Sequence, residues 1–145
     1  SSWHIWFSVL HSTFNHFLTY YFFSHVLELI PKFPAYVVGV SASGKVTTND
    51  YNSVLISAVD SRLKQHSTIN IFYYLGPKFS GFSISAIWDD AKLAIDHYKS
   101  WNKIAIVTDK TWIKSASDVF QFAIPCQLKV FSNKQYAKAE IWITN

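Results

Sequence analysis

The chain has 145 residues, half of them hydrophobic and 18% aromatic, with only 15% charged. That is enough for one domain with a large core, and it excludes a largely disordered polymer. The net charge of +4 comes from twelve lysines and a single arginine, Arg62. Scattered point charges without arginine forks suit base edges poorly, so sequence-reading nucleic-acid binding is excluded, while a mild preference for anionic surfaces stays open.

Residues 1–25, SSWHIWFSVLHSTFNHFLTYYFFSH, hold four of the six histidines and no Asp, Glu, Lys or Arg. Polar residues interrupt the run too often for a membrane span. The basic start and Ala-x-Ala-like site of a secretory signal are missing too. Trp3, Phe7, Leu10, Phe14, Phe17 and Tyr21 fall on one helical stripe, which suits an amphipathic helix at a membrane interface or against a partner. Histidine gaps of 7, 5 and 9 residues do not give the i, i+4 pairing of a metal-binding helix, so no metal is expected. The break in composition at Val26, in a chain without methionine, suggests that residues 1–25 are an upstream extension and that the domain spans residues 26–145.

From Val26 onward the pattern alternates. Strands are predicted near 27–30 and over AYVVGVSAS (35–43); PKFPA between them is too short for a crossover, so they should pair antiparallel. A helix is predicted over 48–65, capped by Thr48, with Tyr51, Val54, Leu55, Ala58 and Leu63 on its apolar face. TINIFYYL (68–75) reads as a strand and ISAIWDDAKLAIDHYKSW (84–101) as the clearest helix. KIAIVTD (103–109) reads as a buried strand, 110–122 as a helix, CQLKVF (126–131) as a last strand, and 133–143 as a closing helix capped by Asn133. Strands alternating with such helices imply βαβ crossovers. The expected fold is α/β, a single mixed, mostly parallel sheet of about five strands with four helices.

LGPKFSGFS (75–83) joins the second of these βα units. Gly76 and Gly81 have the spacing of a phosphate-binding loop, but Phe82 and Ser83 follow Gly81 where that loop needs a lysine and then Ser or Thr. The glycines are read instead as turn residues, with Gly81 free to take a positive φ. Asp109 stands at the carboxyl end of a strand, where open α/β sheets carry functional groups, but it also fits a helix N-cap. Asp89 and Asp90 point to different sides of a helix, His66 and His97 lie near helix ends, and Cys126 sits in an apolar stretch as a small hydrophobe. No catalytic set assembles from these residues, and no cofactor or enzymatic activity is expected. The aromatics Phe72, Tyr73, Tyr74, Phe79, Phe82, Trp88, Trp101, Trp112, Phe120 and Phe122 are assigned mostly to the core. Phe79 and Phe82, in a loop, either plug a cavity or face lipid or a partner.

Three strings, LELIPKFPAYVVGVSASGKVTTNDYNSVL, YYLGPKFSGFSISAIWDDAKLAIDHY and IAIVTDKTWIKSASDVFQFAIPCQLKVF, resemble the SpoIIAA-like (STAS-like) family of small bacterial proteins in order and spacing over residues 26–145. The resemblance implies a β–α superhelical topology similar to anti-sigma-factor antagonists and to CRAL-TRIO lipid-carrier domains. It implies noncatalytic binding of a nonpolar or lipid-like molecule in a cytoplasmic protein, with peripheral association at the inner membrane. The moving element would be the helix from Ser83 to Lys99, hinged at Gly76, Pro77 and Gly81. Phe79, Phe82, Ile87, Trp88 and Trp112 would line the site, with Lys78, Lys110 and Lys114 near enough to meet anionic headgroups. The alternative it implies is a regulator that binds a protein partner, with Ser80 or Ser83 as a phosphosite. The aspartate that precedes that serine in anti-sigma-factor antagonists is absent, and Ser80 stands where family members commonly carry an acidic residue.

Overall fold

The computed structural model describes residues 26–83, 86, 98–122, 124 and 126–145. Five strands form one sheet in the order β1-β2-β3-β4-β5, the same as their order in the chain. They are β1 (Leu27–Leu29), β2 (Val37–Val46), β3 (Ile69–Phe82), β4 (Trp101–Val107) and β5 (Gln127–Phe131). β1 pairs antiparallel with β2, as its short connection requires, and every later pair is parallel. The expected mixed, mostly parallel sheet is therefore the sheet found.

Three helices occur among the described residues. The first, α1 (residues 48–63), runs through a π turn at Tyr51–Ile56. The second, α2, is Thr111–Phe120, and the third, α3, is Tyr136–Thr144. The expected helix over 84–101 lies outside the described residues except at its ends. Ala86 is helical and buried, and Tyr98–Ser100 form a short 3-10 turn. Trp101, expected at the end of that helix, opens β4 and is buried.

Strands added in one direction through right-handed crossovers place their helices on one face of the sheet. The side chains follow that rule. Val38, Val40, Ala42, Ile69, Ile71 and Leu75 face α1 and α2 and meet Tyr51, Leu55, Val59 and Ile113. The alternate positions Val37, Phe72, Ala105, Val107 and Phe131 face the other way and meet Ala139 and Ile143 of α3. On α1 the deepest line is Tyr51, Leu55 and Val59, while Leu63 is only half-buried. The wider π turn offsets the drift of an i, i+4 series and keeps these three side chains in line over the sheet.

A hydroxyl residue follows each parallel strand. Thr47 caps α1 and shares a reciprocal pair of bonds with Asp50, whose carboxylate accepts from the Thr47 N–H at 2.8 Å. The expected cap, Thr48, is one residue too late because Thr47 is the last residue with extended backbone. Ser83 Oγ accepts from the Ala86 N–H at 3.2 Å, and Thr108 Oγ1 from the Lys110 N–H at 3.1 Å. Ser132, not Asn133, caps the final helical segment, where the Gln135 side chain bonds back to the Ser132 N–H at 3.0 Å.

The last turn of α3 would leave its carbonyls unpaired, and three other parts of the chain supply donors. Tyr36 Oη donates to Thr144 O at 2.8 Å, and Lys103 Nζ to Trp142 O at 3.2 Å. Asn70, 5% exposed in the centre of the sheet, donates through Nδ2 to Ile143 O at 2.8 Å. Its Oδ1 accepts from the Lys103 N–H at 3.1 Å, beside the irregularity where β4 joins β3. The segment before β2 completes the cover. Phe33 packs on Phe72, and a Cβ on Gly39 would stand 2.5 Å from the Phe33 ring, so only glycine lets that ring lie flat on β2. Lys32 closes the edge with an ion pair to Glu140 at 2.8 Å, its ammonium 4.7 Å from the Tyr136 ring centroid.

Two outcomes follow from this closure. Asn70→Ala strands a buried carbonyl and a buried N–H, and urea denaturation should show a loss of about 2–4 kcal/mol with an unchanged m-value. The hydrogen bond that Lys32 donates to Glu140 raises the Lys32 pKa above its ordinary 10.5. Lys32 therefore adds stability that is fully present below the unfolded lysine value and is lost as pH rises through the raised one. The melting-temperature difference between wild type and Lys32→Gln should be small, constant to about pH 10, and absent in strong alkali.

Candidate functional site

The site is built on the end of β3. GPKFSGF, expected as a loop, is strand, and it holds three residues more than the β2 stretch beside it. Ala42 faces Leu75, Gly44 faces Phe79, Lys45 faces Gly81 and Val46 faces Phe82. The ladder survives these bulges because glycine supplies the backbone on both sides, with φ of +76° at Gly44 and +146° at Gly81. Gly-Pro reads as a strand end in sequence, but here Gly76 is buried and Pro77 lies exposed within the bulge, where no ladder N–H is needed.

The bulges decide where the phenylalanines go. Phe79 and Phe82 are three positions apart, which in a regular strand would send them to opposite faces. The extra residue returns Phe82 to the face of Phe79, and the rings meet with centroids 5.0 Å apart. Phe79 is 1% exposed and belongs to the core, whereas Phe82 is half-buried. Trp112, from the first turn of α2, stacks on Phe79 at 6.4 Å and is 50% exposed. Three of the five expected lining residues therefore form one group that runs from the core to the surface. The other two, Ile87 and Trp88, lie outside the described residues. Ser80 is exposed on the bulge, and Ser83 is half-buried with its hydroxyl engaged as a cap.

Asp109 does not cap α2. Lys110 is the extended residue at that position, without a side-chain cap, and Asp109 Oδ1 instead accepts from the Asn133 N–H at 2.9 Å. The carboxylate thus ties two neighbouring strand ends together. Cys126 is half-buried against the core, and burial pushes its thiol pKa up, away from a reactive thiolate. Among the described residues no three His, Cys, Asp or Glu side chains stand close enough to hold a metal ion. The histidines of residues 1–25 and His97 lie outside the described residues.

Two features escaped the sequence. Phe122, assigned to the core, is 88% exposed, and Val119 is 73% exposed. On α2, Ile113 and Ser117 take the inward line and leave Trp112, Ala116 and Val119 as an outward one. Spacing alone could have shown two apolar lines on this helix but not which one faces the sheet. The second feature is an open groove of about 610 Å³ between β1 and α1, with Leu27, Leu29, Val54 and Ala58 in its walls and Arg62 at one end. It has no aromatic lining, and Arg62 donates to Ala35 O at 3.0 Å. Among the described residues no helix is long and apolar enough to cross a membrane.

Residues 37–144 match the SpoIIAA-like family. A similar solved structure is that of an uncharacterised DUF3478-family protein with a SpoIIAA-like fold from Shewanella loihica PV-4. It is 24% identical, has a TM-score of 0.66, and the match covers 81% of this chain and 91% of that one. None of the curated proteins matches. The structural likeness agrees with the one-directional sheet and its terminal helix, and the family match spans all four parallel strands with their helices. The chain belongs to the SpoIIAA-like family.

Proposed function

We propose that this protein is a noncatalytic binding module for a nonpolar or lipid-like small molecule, working in peripheral contact with a membrane. The observation that carries this reading is the aromatic group at the carboxyl edge of the sheet. Trp112 is half in solvent and stacked on a core phenylalanine, with Phe82 beside it. Large rings that continue from core to surface offer an apolar molecule a ready-made face. The polar groups nearby are engaged in structure: Thr47 and Ser83 as caps, Thr108 in a turn with the Lys110 N–H, and Asp109 as a tie. The hinge expected at Gly76, Pro77 and Gly81 belongs to this proposal, and the helix it would move lies outside the described residues except at its ends.

A second reading, a regulator that docks a protein partner, is favoured by one observation. Ser80 is exposed on the β3 bulge, next to exposed Lys78 and near the capped helix entrance at Ser83. Phosphopeptide mapping of the native protein tests it. Modification at Ser80 would support the regulator, and its absence under all growth conditions would remove the phospho-switch form of that reading.

Native mass spectrometry of the full chain, followed by organic extraction, tests the first reading. An apolar molecule should co-purify, and Phe82→Ser with Trp112→Ala should lower its occupancy about tenfold, since two partly buried rings contribute on the order of 1–2 kcal/mol together. Phe79 is unsuitable for this test because truncating so buried a ring costs about 3–5 kcal/mol of stability. A chain that carries nothing extractable and binds no fluorescent fatty acid would refute the reading. Cys126 should meanwhile alkylate with iodoacetamide at pH 8 more slowly than a free thiol, and at the free-thiol rate once the chain is unfolded in urea.

A further inference from the structure

We infer that the groove between β1 and α1 is the seat of residues 1–25 of this same chain, which lie outside the described residues. The inference is independent of the lipid-binding reading above, which concerns the aromatic group on β3 and α2.

The groove exists because of the way β1 joins the sheet. α1 belongs to the crossover from β2 to β3, whereas β1, the edge strand, reaches β2 by a short connection that carries no helix. Leu27 faces α1 and is buried, but Leu29, on the same face of the strand, is 47% exposed. Val54 and Ala58 stand in the opposite wall and are only half-buried. Ser53, Ser57 and Ser61 recur beside them at one-turn spacing, and side chains this small let a second helix approach to about 8–10 Å. Ser53 Oγ already donates to Asn49 O at 2.6 Å, so an apolar neighbour leaves that hydroxyl satisfied.

Position, length and charge choose the occupant. The Ser43 N–H donates to Val26 O at 2.8 Å, so the pairing with β2 runs back to the residue that directly follows the segment, at the groove's own wall. Arg62, at one end of the groove, donates to Ala35 O just before β2, so α1 follows the groove from the carboxyl to the amino end of the sheet. From Ser53 to Arg62 that is about 14 Å of helix. A helix that turns back along it through residues 22–25, an ordinary length for a helix-to-strand connection, lays Leu10, Phe14, Phe17 and Tyr21 over about 17 Å. Residues 1–25 contain no Asp, Glu, Lys or Arg, so covering them desolvates no ionised carboxylate, ammonium or guanidinium. The same absence denies them the lysine-rich face of a helix that lies on a bilayer. A short tether gives an effective concentration of about millimolar, which favours this segment over a separate partner. Residues 1–25 are then part of the domain rather than an appendage to it.

Hydrogen exchange of the full chain tests the docking, and a spin label tests the place. Amides of residues 10–21 should exchange at least about tenfold more slowly than those of an unstructured chain. Phe14→Ser with Phe17→Ser, which changes no residue of the described fold, should abolish that protection while β2, β3 and β4 keep theirs. A nitroxide on Lys64→Cys, in a chain with Cys126→Ser, sits just beyond the Arg62 end and leaves the groove itself unfilled. It should broaden the NMR signals of residues 10–14, and a nitroxide on Lys138→Cys, exposed on α3 across the sheet, should not. Exchange at unstructured rates in the wild type, protection that survives the double phenylalanine variant, or signals of 10–14 no more broadened by the Lys64 label than by the Lys138 label would overturn the inference. So would broadening in a mixture where the label and the observed isotope sit on different chains, because a second copy would then fill the groove.

Discussion

A sheet whose strands are added in one direction has one face supplied with helices by its own connections and one face left bare. That constraint shapes the rest of this protein. Every crossover helix described here packs on the same side as Tyr51, Leu55 and Ile113, so the other side depends on α3, nine residues at the end of the chain. Such a helix is too short to be stable alone. It is held by its buried line, Ala139 and Ile143, and by donors from Tyr36, Asn70 and Lys103 to its last carbonyls. Asn70 is the central one because it also bonds the backbone of β4. A buried amide with two partners on two elements fixes the register of a strand and the position of a helix together.

The same topology sets the opposite conditions at the carboxyl edge. There each parallel strand gives way to a hydroxyl residue: Thr47, Ser83 and Ser132 cap the segment that follows, and Thr108 closes the turn before α2 by accepting from the Lys110 N–H. With the hydroxyls committed to structure, the chemistry left at this edge is aromatic and cationic. The β3 bulges deliver two phenylalanines to one face, α2 delivers Trp112, and the exposed Lys45, Lys78, Lys110 and Lys114 stand on the same strands and helix start. The two ends of the sheet differ, one locked by polar bonds and the other presenting apolar surface.

Most of the fold was legible. β-branched runs and helical stripes gave the strands, their mostly parallel pairing and the antiparallel first pair, because period and connection length act locally. Capping residues were misplaced by one position at Thr47 and Ser132, since neighbouring residues of similar capping propensity compete and only backbone dihedrals choose between them. Asp109 was legible as a residue at a strand end but not as a tie to Asn133, which is a contact across 24 residues. The site was half legible. Phe79, Phe82 and Trp112 were placed together, but Gly76 to Gly81 read as a loop, because a bulge accommodated by glycines on two strands leaves no local mark that separates it from a turn.

By itself, then, the sequence determined the α/β class, the order of elements, the aromatic content of the second βα unit and the excess of lysine over arginine. These are properties of neighbours in the chain, where spacing and propensity are enough. Only the tertiary structure decided which aromatic went where. Phe79 is in the core, Phe82 and Trp112 lie at its margin, and Phe122 stands in solvent, although all four have the same apolar character in sequence. Only the structure showed that Lys32 and Lys103 are engaged, by Glu140 and by Trp142 O. Both outcomes depend on which strand lies beside which, and on how far a bulge turns a side chain, and neither quantity is written in the spacing of a single segment.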